Sequence, residues 1–435
     1  MNFDLLFAKA KKAGIEDIQI SYKENNSMEV QTLNGDLDKY SISNTKLLNV
    51  KGIYNGKMGL VRVELINENQ FDFIVEKIIE NANGIDSKDE VFIYSGDKEY
   101  QKVDLYNQEL AKVEAKEKIE KALDLDKEIR SYEHIVLAES FYEEGFVKSM
   151  LLNSKGLKLE AEANYAFLGG QAIAKSDKDQ RTSFDYIVSN DFNELTVKEL
   201  AKEISLYAAR SLGAAPVLSG TYEVIIKNTA MASLLSPFIT GFSADSVQKG
   251  TSLLKGKIGE KIASDLITIV DDPFKKNSVR STSFDDEGVA TKYKELVKNG
   301  ELKGFIYDLR TARIDGVEST GNGFGNTPSM TNLYIVPGVR PYEEMVKDIK
   351  DGIVITDLAG THAGANAITG DFSLQLCGFR VVDGKETDPI ALSTVGGNIF
   401  NLLKDVTEVG SDLKSGIDSV SSPSLKIKEL VISGK

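Results

Sequence analysis

Tryptophan is absent from these 435 residues, cysteine occurs once, histidine twice and proline eight times. A single cysteine, Cys377, excludes an intramolecular disulfide framework. No apolar run approaches the ~18–20 residues that a membrane-crossing helix needs. The opening residues Met1 to Phe7 have no basic stretch ahead of the apolar ones and no small-residue cleavage site. They make a poor secretory leader, so the expected location is the cytoplasm. Positive charge is also short: 52 Lys and Arg against 66 Asp and Glu give a net −14. A phosphate backbone is held mainly by Lys and Arg, so this balance argues against a general nucleic-acid binder. The acidity reads as a solubility device.

The scarcity of histidine bears directly on metal chemistry. Catalytic zinc takes three protein ligands and keeps a fourth position open for water. His134 and His362 fall in different parts of the chain, and neither belongs to a helix-borne His-Glu-x-x-His pair. No metal cofactor is therefore expected in this chain. His362 and Cys377 are close enough in sequence for a Cys–His nucleophile pair to be conceivable, but Cys377 sits in a strand-like stretch, where a lone cysteine is usually a small packing residue. The acidic groups Asp271-Asp272 and Asp285-Asp286-Glu287 could hold a cation or move protons. Beside Pro273 and Gly288 they read better as turn formers that bond to backbone N–H groups. Gly321 to Asn326 is glycine-rich but lacks the strand-before, helix-after context of a dinucleotide loop, so it reads as a close-contact loop.

Apolar periodicity supplies the architecture. Residues 2–13 read as a helix capped by Asn2, and residues 15–66 as strands with tight turns at Asn34-Gly35 and Asn55-Gly56. A stripe of Ile74, Val75, Ile78, Ile79 and Ala82 marks a second helix, followed by an irregular stretch over 85–105. From 107 to 130 another helix is expected to bury Val113, Ile119, Leu123 and Ile129. A meander over 135–188, with turns at Glu144-Gly145 and Lys155-Gly156, leads to an amphipathic helix over 196–212. Beyond Gly213 to Gly220 come the strand Tyr222–Ile226, a small-residue helical region over 229–254, and many short strands. The expected class is α+β, with an N-terminal subdomain (1–105), a helix-plus-meander subdomain (106–215) and a C-terminal sheet-rich, barrel-like or sandwich domain (216–435).

The order of motifs in the second half is distinctive. Gly241 to Gly256 (GFSADSVQKGTSLLKG) precedes Lys257 to Ile262 (KIGEKI), Thr268 to Pro273 (TIVDDP) and Phe284 to Gly288 (FDDEG). Then follow Ser319 to Asn322 (STGN), Asn332 to Ile335 (NLYI), Ala367 to Ser373 (AITGDFS) and Gly397-Asn398. This series resembles the C-terminal half of the TldD/PmbA family, once called modulators of DNA gyrase, and the element order resembles it over nearly the whole chain.

In that family the TldD type resembles a zinc peptidase, with His-Glu-x-x-x-His on a helix after a strand and a cysteine near the C-terminus. The matching helix here is Ser233 to Gly241, where Ser236 and Pro237 stand in place of the first His-Glu pair and Gly241 in place of the second His. The stretch from Gly410 to Pro423 has no cysteine. The resemblance therefore implies a TldE/PmbA-type subunit without a catalytic site of its own. Its implied partner is a TldD-type subunit that carries the zinc, and the pair would act on unfolded or short peptides. Asn322, Gly323, Gly325, His362, Thr369, Gly370 and Asp371 are the candidate groove or loop residues. Two other readings stand beside it: a self-standing homodimeric peptidase or other hydrolase, and a non-proteolytic protein-binding regulator.

Overall fold

A computed structural model describes every residue except 65–66, 87–89 and 415. The strand region expected through 66 and the irregular stretch expected over 85–105 each run into one of these gaps, and those positions lie outside the described residues.

The first half is built on one antiparallel sheet. Helix Phe3–Lys12 begins at Asn2, whose side chain accepts from the Leu5 N–H. Strands β1 (Asp17–Leu33), β2 (Asp36–Tyr54) and β3 (Lys57–Val63) follow as a meander. Both turns place an Asn and a Gly at positive φ: 50° and 97° at Asn34-Gly35, 51° and 69° at Asn55-Gly56. That pairing matches the twist of the flanking strands. Helix Phe71–Gly84 closes this unit. The pattern then repeats: helix Ala115–Arg130, strands β4 (Ile135–Asn153), β5 (Lys158–Lys175) and β6 (Gln180–Ser189), and helix Val197–Arg210. The six strands form one sheet in the order β3-β2-β1-β4-β5-β6, so it joins strands from both sides of residue 105.

Alternation decides what each face of this sheet does. Ile18, Ile20, Leu48 and Val50 point to one face and pack on helices 3–12 and 71–84. Val30, Ala138, Tyr142, Ala166 and Leu168 continue that face under helices 115–130 and 197–210. The opposite, inner face turns toward the second half of the chain, with Gln19 Nε2 donating to the Asp286 carbonyl at 3.0 Å and Lys23 pairing with Asp286 at 3.2 Å.

Three expectations are corrected here. Glu144-Gly145 is not a turn; β4 runs through it. Gly145 is there because the Tyr165 ring of the neighbouring strand lies over it: a Cβ would meet that ring at 2.5 Å. In helix 115–130 the inward stripe is Lys118, Ala122, Leu125, Asp126 and Ile129, not the stripe through Val113, Ile119 and Leu123. Two buried charges disguise it, Lys118 pairing with Glu144 at 2.7 Å and Asp126 with Arg130 at 2.6 Å. The small-residue region is not one helix over 229–254. It is an α-helix at Asn228–Leu235, a tighter 3₁₀ turn at Ser236–Phe242 that has Pro237 in its first turn, and a short helix at Ala244–Gln248.

The second half is barrel-like, completing an α+β fold. Strand β7 (Gly220–Ile226) precedes β8 (Ile269–Asp271), β9 (Lys294–Lys298), β10 (Glu301–Leu302) and β11 (Leu333–Ile335). Then come β12 (Asp351–Ala359), β13 (Asp371–Val382), β14 (Lys385–Asn398), β15 (Val406–Val409), β16 (Val420–Ser421) and β17 (Leu425–Ser433). One sheet runs β14-β13-β12-β7-β17-β15, and a further pairing of β14 with β17 closes its first five strands into a ring, with β15 as a flanking strand. A smaller sheet, β10-β9-β8-β11-β16, packs against the same apolar core, which includes Val224, Met231, Leu234, Ile269, Leu333, Ile355, Leu376 and Ile427.

Candidate functional site

Helix Asn228–Leu235 starts where β7 ends, its entry fixed by the Lys227 N–H donating to the Ile355 carbonyl of β12 at 2.8 Å. Ala230, Met231, Leu234 and Leu235 enter the core. Helical spacing therefore turns Thr229, Ala232, Ser233 and Ser236 outward together. They line a cleft of about 360 Å³ with Asn228, Tyr186 of β6, Thr361, Lys414, Gly416 and Asp418 from the loop after β15, and Val420 at the start of β16. This loop is stitched to the helix start. Asn228 Nδ2 donates to the Asp412 carbonyl at 2.9 Å, the Asn228 N–H donates to Ser424 Oγ at 3.1 Å, and Ser424 Oγ donates to the Asp412 carboxylate at 2.7 Å. Lys414 pairs with Asp185 of β6 and lies 5.7 Å from the Tyr186 ring centre. Burial raises the Tyr186 phenol above its ordinary range. The cleft thus spans the two halves of the chain.

The donor set here does not suit zinc. The helix offers hydroxyls and an amide, and the facing loop adds the Lys414 ammonium and one carboxylate, Asp418, with no imidazole or thiolate in the lining; a zinc site takes three ligands from imidazole, thiolate and carboxylate. Among the described residues, no group of three or more His, Cys, Asp or Glu could hold a metal ion. Ser236 is exposed on the cleft, and Pro237 is half-buried beside it. Gly241 is not among the cleft's lining residues, and its carbonyl accepts from Ser252 Oγ at 2.6 Å. Ser236 thus lines the cleft and Gly241 does not.

The remaining candidates scatter. Asn322 is fully buried, its amide donating at 2.8 Å to both the Asp271 carboxylate and the Ser329 carbonyl. Gly323 is buried against the Glu287 carboxylate, whereas Gly325 is exposed. His362 is exposed next to cleft residue Thr361. Thr369, Gly370 and Asp371 form a turn tied to Asn398, whose Nδ2 donates to the Thr369 carbonyl and the Asp371 carboxylate, each at 2.9 Å. Cys377 is half-buried in β13, and burial together with Asp357 raises its thiol, the opposite of an activated nucleophile. His134 lies at a left-handed turn (φ 70°) before β4, with its nearest acid, Glu133, at 3.8 Å.

Two buried polar centres lie behind the Gly321–Asn326 loop. Asp271, with no exposed surface, accepts from the Thr331 N–H (2.8 Å), Thr331 Oγ1 (2.7 Å), the Asn332 N–H (3.1 Å) and Asn322, and pairs with Lys294 at 3.2 Å. Burial lowers the Lys294 ammonium from its ordinary value. Asp285 accepts from the backbone N–H groups of Glu287, Val289 and Gly323 at 3.0, 2.9 and 2.8 Å. Its burial and the nearby Glu287 push it up to about 7. Both acidic groups also make turn bonds of the expected kind, Asp272 accepting from the Phe274 N–H and Asp285 from the Glu287 N–H.

Sequence reasoning missed Tyr186, Asn228, Lys414 and Asp418. Asn228 carried a local signal, a helix-start residue directly after a strand. The others meet only through the tertiary fold.

Comparison with known proteins places this geometry in a family. Residues 219–434 match the model for the PmbA/TldA metallopeptidase C-terminal domain, and residues 108–212 the model for its central domain. A Thermotoga maritima structure described as a modulator of a DNA gyrase superposes with a TM-score of 0.93 at 34% identity, covering 99% of both chains. The crystal structure of TldE from Thermococcus kodakarensis gives a TM-score of 0.92 at 25% identity, over 99% of this chain and 100% of that one. A metalloprotease TldD homologue from Buchnera aphidicola is 31% identical over 288 residues, 61% of this chain. The match spans 59% of that relative's length.

Proposed function

The chain belongs to the PmbA/TldA metallopeptidase family, and from that membership we propose that it serves as a TldE/PmbA-type, non-catalytic subunit. In this reading it holds unfolded or short peptides while a TldD-type partner supplies zinc and cleavage, in the cytoplasm. The observation that carries the reading is the cleft at the end of helix 228–235. There Ser236, Ser233, Thr229 and Asn228 present hydroxyl and amide groups, and Lys414 and a lone carboxylate, Asp418, face them with no imidazole in the lining. The chain's own residues bind and orient. Hydroxyls and amides can bond to peptide backbone whatever its sequence, and the inner face of the sheet leads from this cleft back toward β1.

The test is to purify the chain alone and together with a TldD-type partner, then follow cleavage of an unstructured peptide with and without chelator. The expected result is no chelator-sensitive hydrolysis by the chain alone, hydrolysis by the pair, and pair activity weakened but not abolished for Ser236→Ala. Chelator-sensitive cleavage by the chain alone, or about one tightly bound zinc per chain held by its own residues, would overturn the proposal.

A further inference from the structure

The inner face of the sheet is polar along β1 and carries an aromatic band of Phe141, Tyr165, Phe167, Phe184 and Tyr186 over β4, β5 and β6, and it deepens at one place. Between β4, β5 and the loop over residues 277–286 lies a cavity of about 290 Å³. Val147, Leu151, Ala161 and Ala163 line it from the sheet side, and Phe284 and Phe324 from the second half of the chain. We propose that this cavity is a subsite for one large, neutral, apolar side chain, aromatic above all, of a peptide lying along the inner face; the proposal rests on the peptide-holding role argued above.

Size, chemistry and charge each narrow the occupant. At about 290 Å³ it lies at the lower end of the roughly 300 to 1,000 Å³ of cavities that enclose small ligands, with room for one large side chain. Val147, Ala161 and Ala163 are apolar yet only half-buried, on a part of the inner face that also carries Ser21, Lys23 and Ser149. An apolar guest would take their remaining surface out of water. Phe284 and Phe324 offer ring faces and edges to an incoming ring.

The charged groups around the cavity are satisfied or repel the wrong guest. Lys23 is paired with Asp286 at 3.2 Å, and the Asp285 carboxylate is taken up by three backbone N–H groups. Arg280 fixes its Nε on the Thr331 carbonyl at 3.1 Å and remains exposed among the lining residues. A guanidinium there disfavours a Lys or Arg guest and can stack on an aromatic one. The sequence could not announce this site, because its lining comes from seven separate stretches of chain.

The experiment uses fluorescein-labelled short peptides of Gly, Ser and Ala that carry one central Phe, one central Lys or neither. Binding to the full chain is followed by anisotropy and by the methyl resonances of Ala161 and Ala163. The Phe peptide is expected to bind about tenfold or more tighter than the other two, the range that a hydrophobic pocket can discriminate, and to shift both methyls. Ala163→Leu fills the cavity and should remove that preference while leaving the affinity of the Phe-free peptide unchanged. Val147→Phe fills it from the neighbouring strand and gives the same readout if Ala163→Leu fails to fold. Equal affinity for all three peptides, or a Phe preference that survives in a folded, filled variant, overturns the subsite alone. If none of the peptides binds, the peptide-holding role falls and takes the subsite with it.

Discussion

Replacing Asp271 by Ala strands a buried ammonium group. The Asp271 carboxylate has no exposed surface and collects three hydrogen bonds from Thr331 and Asn332, a fourth from Asn322, and the ion pair with Lys294, whose side chain is 12% exposed. Breaking a buried pair by removing one partner costs about 3–5 kcal/mol. The charge part of that loss has a ceiling, because Lys294 can give up its proton. At pH 7, neutralising a lysine of ordinary pKa costs about 3.4 × 1.36, or roughly 4.6 kcal/mol. At pH 9 the same ceiling falls to about 1.9 kcal/mol. In the variant the Lys294 pKa is depressed in the folded state, so the unfolded chain binds more protons and stability rises with pH in that window. Urea unfolding followed by far-UV circular dichroism, the chain having no tryptophan to report, should show Asp271→Ala destabilised by about 3–5 kcal/mol at pH 7 and distinctly less at pH 9. Adding Lys294→Met removes the stranded charge and should recover most of the pH-dependent part. A loss below about 1 kcal/mol, or a double variant no more stable than the single one, would refute the buried-pair account.

Other outcomes follow from single contacts. Gly145→Ala places a methyl against the Tyr165 ring; it should cost about 1–3 kcal/mol and alter the near-ultraviolet tyrosine dichroism. Asp285 has a folded pKa raised to about 7, so its contribution is fully present below the unfolded value of ~3.9 and is lost as pH rises through 7. Urea midpoints should therefore fall more between pH 5 and 8 for the wild type than for Asp285→Asn, and a steeper fall in the variant would contradict the assignment. Leu392 sits at φ 54° beside a register shift in β14 and is 67% exposed. Leu392→Gly should raise stability by about 0.5–1 kcal/mol by relieving left-handed strain, and a lowered Tm would show that the leucine side chain matters more than its backbone. Cys377→Ala should leave partner-dependent peptidase activity largely intact, and its loss in a folded, assembled variant would revive a nucleophilic role.

Local periodicity carried much of the fold. The two Asn-Gly turns and the helix starting at Asn2 are events within a few residues, and each lies where the pattern put it. Patterns failed where a distant partner decides. Lys118 and Asp126 look like surface residues until Glu144, Thr32 and Arg130 are brought to them by the sheet and the helix. Gly145 looks like a turn until Tyr165 lies across it. The same holds for the cleft, since the positions of Ser236 and Pro237 were readable as a departure from a motif, but nothing near them points to Tyr186 or Lys414. Asn322 was readable as part of a glycine loop, though not as a buried donor to Asp271.

The sheet of the first half is a helix–meander–helix unit used twice, its two copies meeting along β1 and β4 in antiparallel register from Gln19↔Asn153 to Leu33↔Glu139. An antiparallel seam between two like units relates them by an approximate two-fold axis through its middle. Within each unit the strands are sequence neighbours and can pair early, whereas the seam closes a loop of more than a hundred residues and carries the larger entropy cost. Folding of this half should thus be limited by docking of two preformed meanders. Substitutions along the β1–β4 seam should slow refolding more than equally destabilising ones at the β2–β3 or β5–β6 turns. The uncovered side of that seam is also the floor facing the second half, so the late folding step and the completion of the inner face are one event.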